Sequence, residues 1–283
     1  MIPGRALHYV LKIGDRAKNI NFFKNILGMK VLRHEEFTEG CDAQCNGPYD
    51  NRWSKTMIGF GAESDFFVVE LTYNYGVKLY ELGNDFGGMT IRDGEILSRA
   101  KNLNYEIAKD DGRDFLTSPD GYRFYIESSE TSHEDKVSKV TLHCTNLKES
   151  LDYWNGLLDM KILSEDANSA TLSYGEKQAS LELKEISDPL NRAKAYGRIA
   201  FAVPASVQPV IDEKIQAKKG SILTPLISLD TPGKATVQVI ILADPDGHEI
   251  CFVNEEGFSE LSKVDPDSDQ ALEKYINKDP FQS

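Results

Sequence analysis

Two strand-like segments place a histidine and several polar groups where a small molecule or a metal ion could bind. In RALHYVLKI (5–13), alternate side chains point to opposite faces, so His8 lies on the face away from the larger apolar residues. In FFVVELTYNYG (66–76), Glu70 and Asn74 share a face in the same way. A histidine and a glutamate on facing strands are donors that zinc and related divalent ions accept. The pattern therefore indicates a binding site, or else a polar face that meets water.

A turn followed by a strand occurs twice and carries different side chains in each copy. LADPDGHEICFV (242–253) and LTSPDGYRFYIE (116–127) both contain Pro-Asp-Gly and then an alternating segment. Glu249 and Cys251 share the polar face of the later copy, and Tyr125 stands in the earlier copy where Cys251 stands in the later one. The two copies therefore differ at the positions where chemistry is expected.

Further repeats divide the chain into two similar halves. LGMKVL (27–32) returns as LDMKIL (158–163), and VVELT (68–72) returns as SLELK (180–184). The first half also contains an insertion at 35–55, which is rich in glycine, asparagine, aspartate and proline. That composition is typical of a long loop between strands.

Each half divides again into two units of one strand, one helix and three strands. Asp15 is the predicted N-cap of the first helix, and Asn146 is the predicted N-cap of the third. The pattern predicts an α+β fold of four βαβββ modules that form two domains. We expect an N-terminal domain at 1–128, a linker at 129–136, a C-terminal domain at 137–255, and an acidic tail at 256–283 with a short helix from about Asp269 to Asn277. We expect the tail to pack on the outside or to fray.

The strands of each module are apolar on one face and polar on the other. The apolar face suits packing against the helix, and the polar face remains open. Two such sheets side by side would curl into a cup lined by polar groups, which is a natural site for a small molecule.

Composition narrows the classes of partner. The formal net charge is −13, from 45 acidic and 32 basic residues, which argues against nucleic acid and against an anionic membrane surface. No apolar run is long enough to span a bilayer, and because a strand is predicted to begin by Arg5, we expect no signal or transit peptide. The four cysteines predict a reducing, cytoplasmic compartment. We expect Cys41 and Cys45 to be ordinary thiols rather than zinc ligands.

Long strings of the sequence resemble a known family. They are GCDAQCNGPYDNRWSKTMIGFG (40–61), LTYNYGVKLYELGNDF (71–86) and SLDTPGKATVQVIILADPDGHEICFV (228–253). With the four modules, they identify the chain as similar to the glyoxalase I and vicinal-oxygen-chelate superfamily, and within it to the glyoxalase domain-containing protein 4 family. The match extends along essentially the whole chain, so the resemblance implies two glyoxalase-like domains.

The resemblance implies an activity and its cofactors. Glyoxalase I isomerises the hemithioacetal of methylglyoxal and glutathione to lactoylglutathione. The family likeness therefore implies a divalent metal, zinc or nickel, that chelates the substrate oxygens, and glutathione as co-substrate. It also implies a glutamate that moves a proton between adjacent carbons of the substrate. In the architecture, it implies that the first module pairs with the fourth and the second with the third. For the location, it implies association with mitochondria.

For the first of these module pairs, the resemblance assigns four ligand positions. They fall on His8, Glu70, Arg198 and Cys251. Glu70 is then both a ligand and a candidate catalytic carboxylate, but Cys251 stands where the family has its fourth-module glutamate. Two hypotheses follow from that substitution. Cys251 could bind zinc as a thiolate with His8 and Glu70, or Glu249, two residues earlier on the same face, could reach in as the catalytic carboxylate.

The resemblance also implies groups that hold the substrate. Asn74 and Lys12 fall where glyoxalase I holds glutathione. Arg198 is a permanent cation, and beside a divalent metal it is repulsive unless an anion lies between them. Arg198 with Lys234 could therefore hold a carboxylate of the substrate.

The other module pair carries a different set at its ligand positions, namely Phe86, Tyr125, Lys139 and Glu182. Because Phe86, Tyr125, Lys139 and, in the first pair, Arg198 are not usual metal ligands, a second function is also possible. The alternative is a non-catalytic small-molecule or protein-binding module with a degenerate metal site. A dioxygenase or epimerase is the least favoured function. The usual dioxygenase site in this family needs two histidines and a glutamate, and no module pair has them at its ligand positions. Four modules in one chain predict that a monomer suffices.

Overall fold

The computed structural model describes residues 1–128, 135–231 and 234–281. The strands are β1 (Arg5–Ile13), β2 (Lys30–Phe37), β3 (Trp53–Gly59), β4 (Val68–Asn74), β5 (Phe86–Arg92), β6 (Ala108–Asp110), β7 (Arg113–Thr117), β8 (Arg123–Glu127), β9 (Val137–Cys144), β10 (Lys161–Glu165), β11 (Ser169–Ser173), β12 (Ser180–Glu185), β13 (Arg198–Val203), β14 (Ser221–Leu229), β15 (Val237–Ala243) and β16 (Glu249–Asn254). The helices are α1 (Arg16–Asn21, continued by a π turn at Phe22–Ile26), α2 (Glu95–Asn102), α3 (Leu147–Trp154), α4 (Gln208–Ala217, preceded by a 3-10 turn at Ala205–Val207), α5 (Glu255–Leu261) and α6 (Ser268–Asn277).

The strands form two sheets of eight. The first sheet has the order β14-β15-β16-β13-β1-β4-β3-β2, and the second has the order β10-β11-β12-β9-β5-β8-β7-β6. The first therefore joins the first and fourth modules through β1 and β13, and the second joins the second and third through β5 and β9. The fold of four βαβββ modules in two glyoxalase-like units is confirmed, and so is the pairing of the modules.

Each half of the chain contributes strands to both sheets. The predicted boundaries at 1–128 and 137–255 follow the sequence repeat, whereas the hydrogen-bonded sheets cross it. Most of the predicted linker, 129–134, lies outside the described residues.

The predicted N-caps form local hydrogen bonds that begin two helices. The side chain of Asp15 accepts from the backbone N–H of Lys18, and that of Asn146 accepts from the N–H of Glu149. Both bonds satisfy a donor in the first turn that has no partner within its helix.

The apolar strand faces and the helices share one core. That core includes Tyr9, Leu11 and Phe23 of the first module with Phe201 and Phe252 of the fourth. Leu7 does not follow the simple alternation and packs with a separate apolar cluster instead. A register shift in the β1–β13 pairing between Ala6 and His8 accounts for this, because an extra residue reverses the faces that follow.

The insertion is shorter than predicted at both ends. Strand β2 extends to Phe37 and β3 begins at Trp53, so the connecting loop covers 38–52. Cys41 and Cys45 in this loop are joined in a disulfide, so the expectation of two ordinary thiols is wrong.

The acidic tail folds onto the body of the protein. Phe258 and Leu261 of α5 are buried in the apolar cluster of the first sheet, and α6 packs against β2. The predicted helix at 269–277 is confirmed as α6. Among the described residues, every helix is too short or too polar to cross a membrane.

Candidate active site

One face of the first sheet forms a cavity of about 420 Å³, which we call the first cavity. Its polar lining includes His8, Glu70, Lys55, Arg198 and Cys251, and its apolar wall comes from β13, β15, β16 and α5. The strand register explains this grouping, because His8 lies beside Ala200 of β13 and Glu70 lies beside Val10 of β1. The volume falls in the range of cavities that bind small molecules.

Glu70 and His8 lie together on the wall of the first cavity. Glu70 is only 6% exposed, and its Oε2 atom is 3.5 Å from Nε2 of His8. The other carboxylate oxygen accepts a hydrogen bond of 3.2 Å from the Thr72 hydroxyl. The remaining ring nitrogen of His8, Nδ1, is 2.6 Å from Oε1 of Glu63. A carboxylate in so shielded a place can act as a base toward a molecule in the cavity.

Cys251 lines the same cavity from a strand that is not a neighbour of the Glu70 strand. Cys251 is on β16, and β13 and β1 separate that strand from β4. Burial raises the pKa of the Cys251 thiol to about 12, so the protonated thiol predominates near neutral pH. The thiolate is the form that binds metals.

These donors do not fit a resident metal ion of the kind that the family likeness implies. Across 1–128, 135–231 and 234–281, no three His, Cys, Asp or Glu side chains converge on a common metal position. His8 and Glu70 supply two donors, while Lys55 and Arg198 on the same lining carry only N–H donors and cannot coordinate an ion. The expected set of His8, Glu70 and Cys251 is thus not assembled.

Glu249, the other predicted catalytic carboxylate, is held by two arginines. Its Oε2 atom accepts from Nε and Nη2 of Arg198 at 2.9 and 2.7 Å, and Nη2 of Arg192 is 3.4 Å from Oε1. Glu249 lies outside the lining of the first cavity. Its carboxylate therefore neutralises Arg198 rather than facing the position beside Glu70.

Lys12 and Asn74, the predicted glutathione contacts, are buried away from the lining. The ammonium of Lys12 donates to the carbonyl of Tyr196 at 2.6 Å, and burial lowers the pKa of Lys12 to about 7. Asn74 accepts from the Asn46 side chain at 2.8 Å and donates to the Asn46 carbonyl at 3.0 Å and to the Tyr80 hydroxyl at 2.9 Å. Asn74 therefore secures the 38–52 loop.

Lys234 does not meet Arg198 either. Its ammonium donates to Oε1 of Glu35 at 2.9 Å, and Lys55 lies 3.7 Å from the other oxygen of Glu35. Burial raises the pKa of Glu35, but Lys55, Arg33 and Lys234 outweigh that effect and lower it to about 2.

Lys55 is the cavity cation that the sequence did not point to. It lies opposite Thr72 in the β3–β4 ladder, on the face that carries Glu70. The sequence pattern assigns it to the end of the insertion. A prediction that β3 begins at Trp53 would have put Lys55 on the polar face, by alternation along the strand.

The second sheet has its own cavity of about 490 Å³, lined by Phe86, Tyr125 and Glu182 among others. Two of its polar groups, Tyr125 and Glu182, are paired within the protein. The Tyr125 hydroxyl donates to Asp110 at 2.7 Å, and Glu182 accepts from Lys139 and from Thr141 at 2.6 Å each. Glu182 of the third module repeats Glu70 of the first, but a lysine occupies the place that His8 has in the first cavity.

The chain is similar to proteins of the glyoxalase family along nearly its whole length. A family model for the C-terminal domain of glyoxalase domain-containing protein 4-like proteins matches residues 146–261. The chain is 51% identical to glyoxalase domain-containing protein 4 of Rattus norvegicus, over 99% of this chain and 95% of that protein. It is 46% identical to a Caenorhabditis elegans protein named Glyoxalase 1, over 98% of each chain.

Solved structures show the same fold. Glyoxalase I from Zea mays superposes with a TM-score of 0.72, covering 98% of this chain and 96% of that one at 24% identity. A structure of a mutant of the same Zea mays enzyme gives a TM-score of 0.75 over 91% of this chain and 96% of that one, also at 24% identity. At that identity the likeness shows the fold alone.

Proposed function

The chain belongs to the glyoxalase domain-containing protein 4 family, and from that membership we propose that the first cavity isomerises the hemithioacetal of methylglyoxal and glutathione to lactoylglutathione. The observation that carries this proposal is the shielded carboxylate of Glu70 beside His8, in a cavity that also holds two cationic side chains. The relative named Glyoxalase 1, which matches nearly the whole chain, supports the reaction class.

The reaction is a proton transfer that needs no further reagent. Glu70 removes the proton from the carbon that bears sulfur and hydroxyl, and the electron pair moves onto the neighbouring carbonyl oxygen to form an enediolate. The same carboxyl returns the proton to the adjacent carbon, which leaves a thioester and a hydroxyl group. A second proton passes between the two oxygens, and Nε2 of His8 is placed to accept it, 3.5 Å from the Glu70 carboxylate.

Positive side chains stabilise the charge that develops. Lys55 and Arg198 line the cavity and can donate N–H hydrogen bonds to an enediolate oxygen, in addition to the bonds that Arg198 makes to Glu249. They also attract the carboxylates of a glutathione adduct. Because the protein donors do not fit a metal, the proposed mechanism assigns charge stabilisation to these cations and has no metal step.

The first test compares two equivalent glutamates. We expect Glu70→Gln to lower kcat for lactoylglutathione formation by roughly 100-fold or more, because an amide cannot take the proton. Glu182→Gln is the matched control at the repeated position in the second sheet, and its rate should stay within about twofold of wild type, because Glu182 lies in the other cavity. Product is followed by absorbance, with and without a chelator.

Three outcomes would count against the proposal. Equal rates for wild type and Glu70→Gln would remove Glu70 as the base. No turnover by wild type, together with measurable binding of the glutathione adduct, would favour the non-catalytic binding protein. About one metal ion per chain that is lost in Glu70→Gln would contradict the metal-free mechanism.

A further inference from the structure

A buried ion pair between Glu63 and Arg33 lies next to the first cavity, and its carboxylate contacts the ring of His8. Oε1 of Glu63 is 2.6 Å from Nδ1 of His8, and Oε2 of Glu63 accepts from Nη2 of Arg33 at 2.6 Å. Glu63 is 1% exposed and Arg33 is 2% exposed. The second nitrogen of Arg33, Nη1, donates to the carbonyl of Leu261 at 2.7 Å.

Glu63 is held in place by three separate segments of the chain. It lies in the loop between β3 and β4, and its carbonyl accepts from Nη1 of Arg5 at 2.7 Å. Arg33 comes from β2, and Leu261 comes from α5 of the tail. Arg5 therefore fixes the Glu63 backbone, and Leu261 fixes the Arg33 guanidinium that binds the carboxylate, so the carboxylate and the His8 ring that contacts it are both held in one orientation.

We infer that Glu63 is a positioning residue that keeps the proton of the neutral His8 ring on Nδ1 and presents Nε2 to the first cavity. A carboxylate with both oxygens engaged can only accept hydrogen bonds, so the ring nitrogen that faces it must donate. In the neutral ring the other nitrogen then carries a lone pair. That nitrogen is the one 3.5 Å from Glu70, where the proposed mechanism needs an acceptor.

The ionisation of Glu63 supports this arrangement. Burial raises the pKa of Glu63, but the charge of Arg33 and the hydrogen bond from the His8 ring outweigh it and hold the pKa below its ordinary value. Glu63 is therefore a carboxylate at neutral pH.

Glu63→Gln should reverse the tautomer of His8. An amide has one acceptor oxygen and one donor nitrogen, and the guanidinium of Arg33 requires the oxygen. The amide nitrogen then faces Nδ1 of His8 and donates to it, which forces the ring proton onto Nε2. The substitution is nearly isosteric, so it changes the direction of the hydrogen bond without opening a cavity.

The decisive measurement is nitrogen NMR of histidine-labelled protein at a mildly alkaline pH, where the two ring nitrogens of each tautomer have distinct shifts. The signals of His8 are assigned with His8→Asn. We expect the Nδ1-protonated tautomer in wild type and the Nε2-protonated tautomer in Glu63→Gln. The control is Glu36→Gln, because Glu36 contacts His34, 3.2 Å from its Nε2, and that change should leave the His8 signals in place.

A kinetic measurement links the tautomer to turnover and rests on the proposed function. Glu63→Gln should lower kcat by roughly 10- to 100-fold with little change in KM, because the cavity lining is unchanged while the acceptor is lost. An Nε2-protonated His8 in wild type, or an unchanged tautomer in Glu63→Gln, would overturn the inference. The tautomer of His8 in the wild-type spectrum is read without turnover, so failure of the proposed reaction would leave the tautomer test intact.

Discussion

The polar side chains around the first cavity differ in how far they are already engaged within the protein. Glu249 and Asn74 have hydrogen-bond partners at short distances, whereas Glu70 meets His8 at 3.5 Å and Thr72 at 3.2 Å. A short charge-assisted bond is costly to break, so an engaged carboxylate is a poor base. This contrast separates Glu70 from Glu249 as the candidate base.

Lys12 should make stability depend on pH above neutrality. Its pKa is about 7 in the folded protein, against 10.5 for a lysine in water, so between these values the unfolded chain binds the extra proton. The buried Lys12 therefore lowers the free energy of unfolding by its full amount below pH 7, and this loss disappears as pH rises through 10.5. The difference between the two pKa values corresponds to a loss of roughly 5 kcal/mol. We therefore expect Lys12→Met to be more stable than wild type at neutral pH, by an amount that shrinks toward pH 10.5.

Urea unfolding at several pH values measures this effect. Lys218→Met provides the control, because that lysine is exposed and should show no such trend. A Lys12→Met advantage that stays constant with pH would contradict the lowered pKa.

The 38–52 loop is the part of the insertion that lies between β2 and β3, and it forms part of the lining of the first cavity. The cavity is lined by Cys41 and Cys45 of the loop and by Trp53, the first residue of β3. Asn46 connects the loop to β4 through hydrogen bonds with Asn74. Side-chain hydrogen bonds to a fixed strand give an irregular loop one conformation, because its own backbone forms few ladder bonds.

Asn74→Ala should release this loop. The change leaves the carbonyl and amide of Asn46 without their buried partner, which costs about 1–3 kcal/mol. We expect faster proteolysis between 38 and 52 and a higher KM with a smaller change in kcat, because Glu70 and His8 do not contact Asn74. Asn168→Ala is the exposed asparagine control. Wild-type protease resistance in Asn74→Ala would show that other contacts hold the loop.

The whole molecule is tied together by contacts between residues far apart in sequence. Each sheet joins the two halves, and one chain supplies every strand around each cavity. The tail then closes the structure, since Arg16 of the first helix donates to Asp279 at 2.9 Å with both side chains fully buried. The tail is therefore part of the folded unit.

Asp279→Asn should destabilise the protein strongly. It removes one of the two carboxylates that pair with the buried Arg16, the other being Glu36, so we expect a loss of about 2–3 kcal/mol, below the roughly 3–5 kcal/mol of a fully uncompensated buried charge. Asp269→Asn breaks the exposed pair with Lys24 on the same tail and should cost at most about 1 kcal/mol. Chemical denaturation measures both variants, and similar losses for the two would show that burial of the Arg16 pair is not what holds the tail.

Much of the fold and part of the site could be predicted from local patterns. Repeated strings, alternation along β1 and β4, and the caps at Asp15 and Asn146 depend on residues close together in the chain, so the modules and the common face of His8 and Glu70 follow from the sequence. The ends of the insertion were misplaced because glycine- and asparagine-rich residues hid the length of β2 and the start of β3.

The tertiary structure alone decided which side chains meet. Glu63 reaches His8, Arg33 reaches the tail, and Glu249 pairs with Arg198 through contacts that depend on register and packing between distant segments. No local pattern indicates them, because a loop glutamate has the same sequence signal whether it meets water or a buried imidazole. By itself the sequence determined the modules and the polar face on which a site could form, and only the packing of those modules decided which carboxylate on that face stays without a short charge-assisted bond.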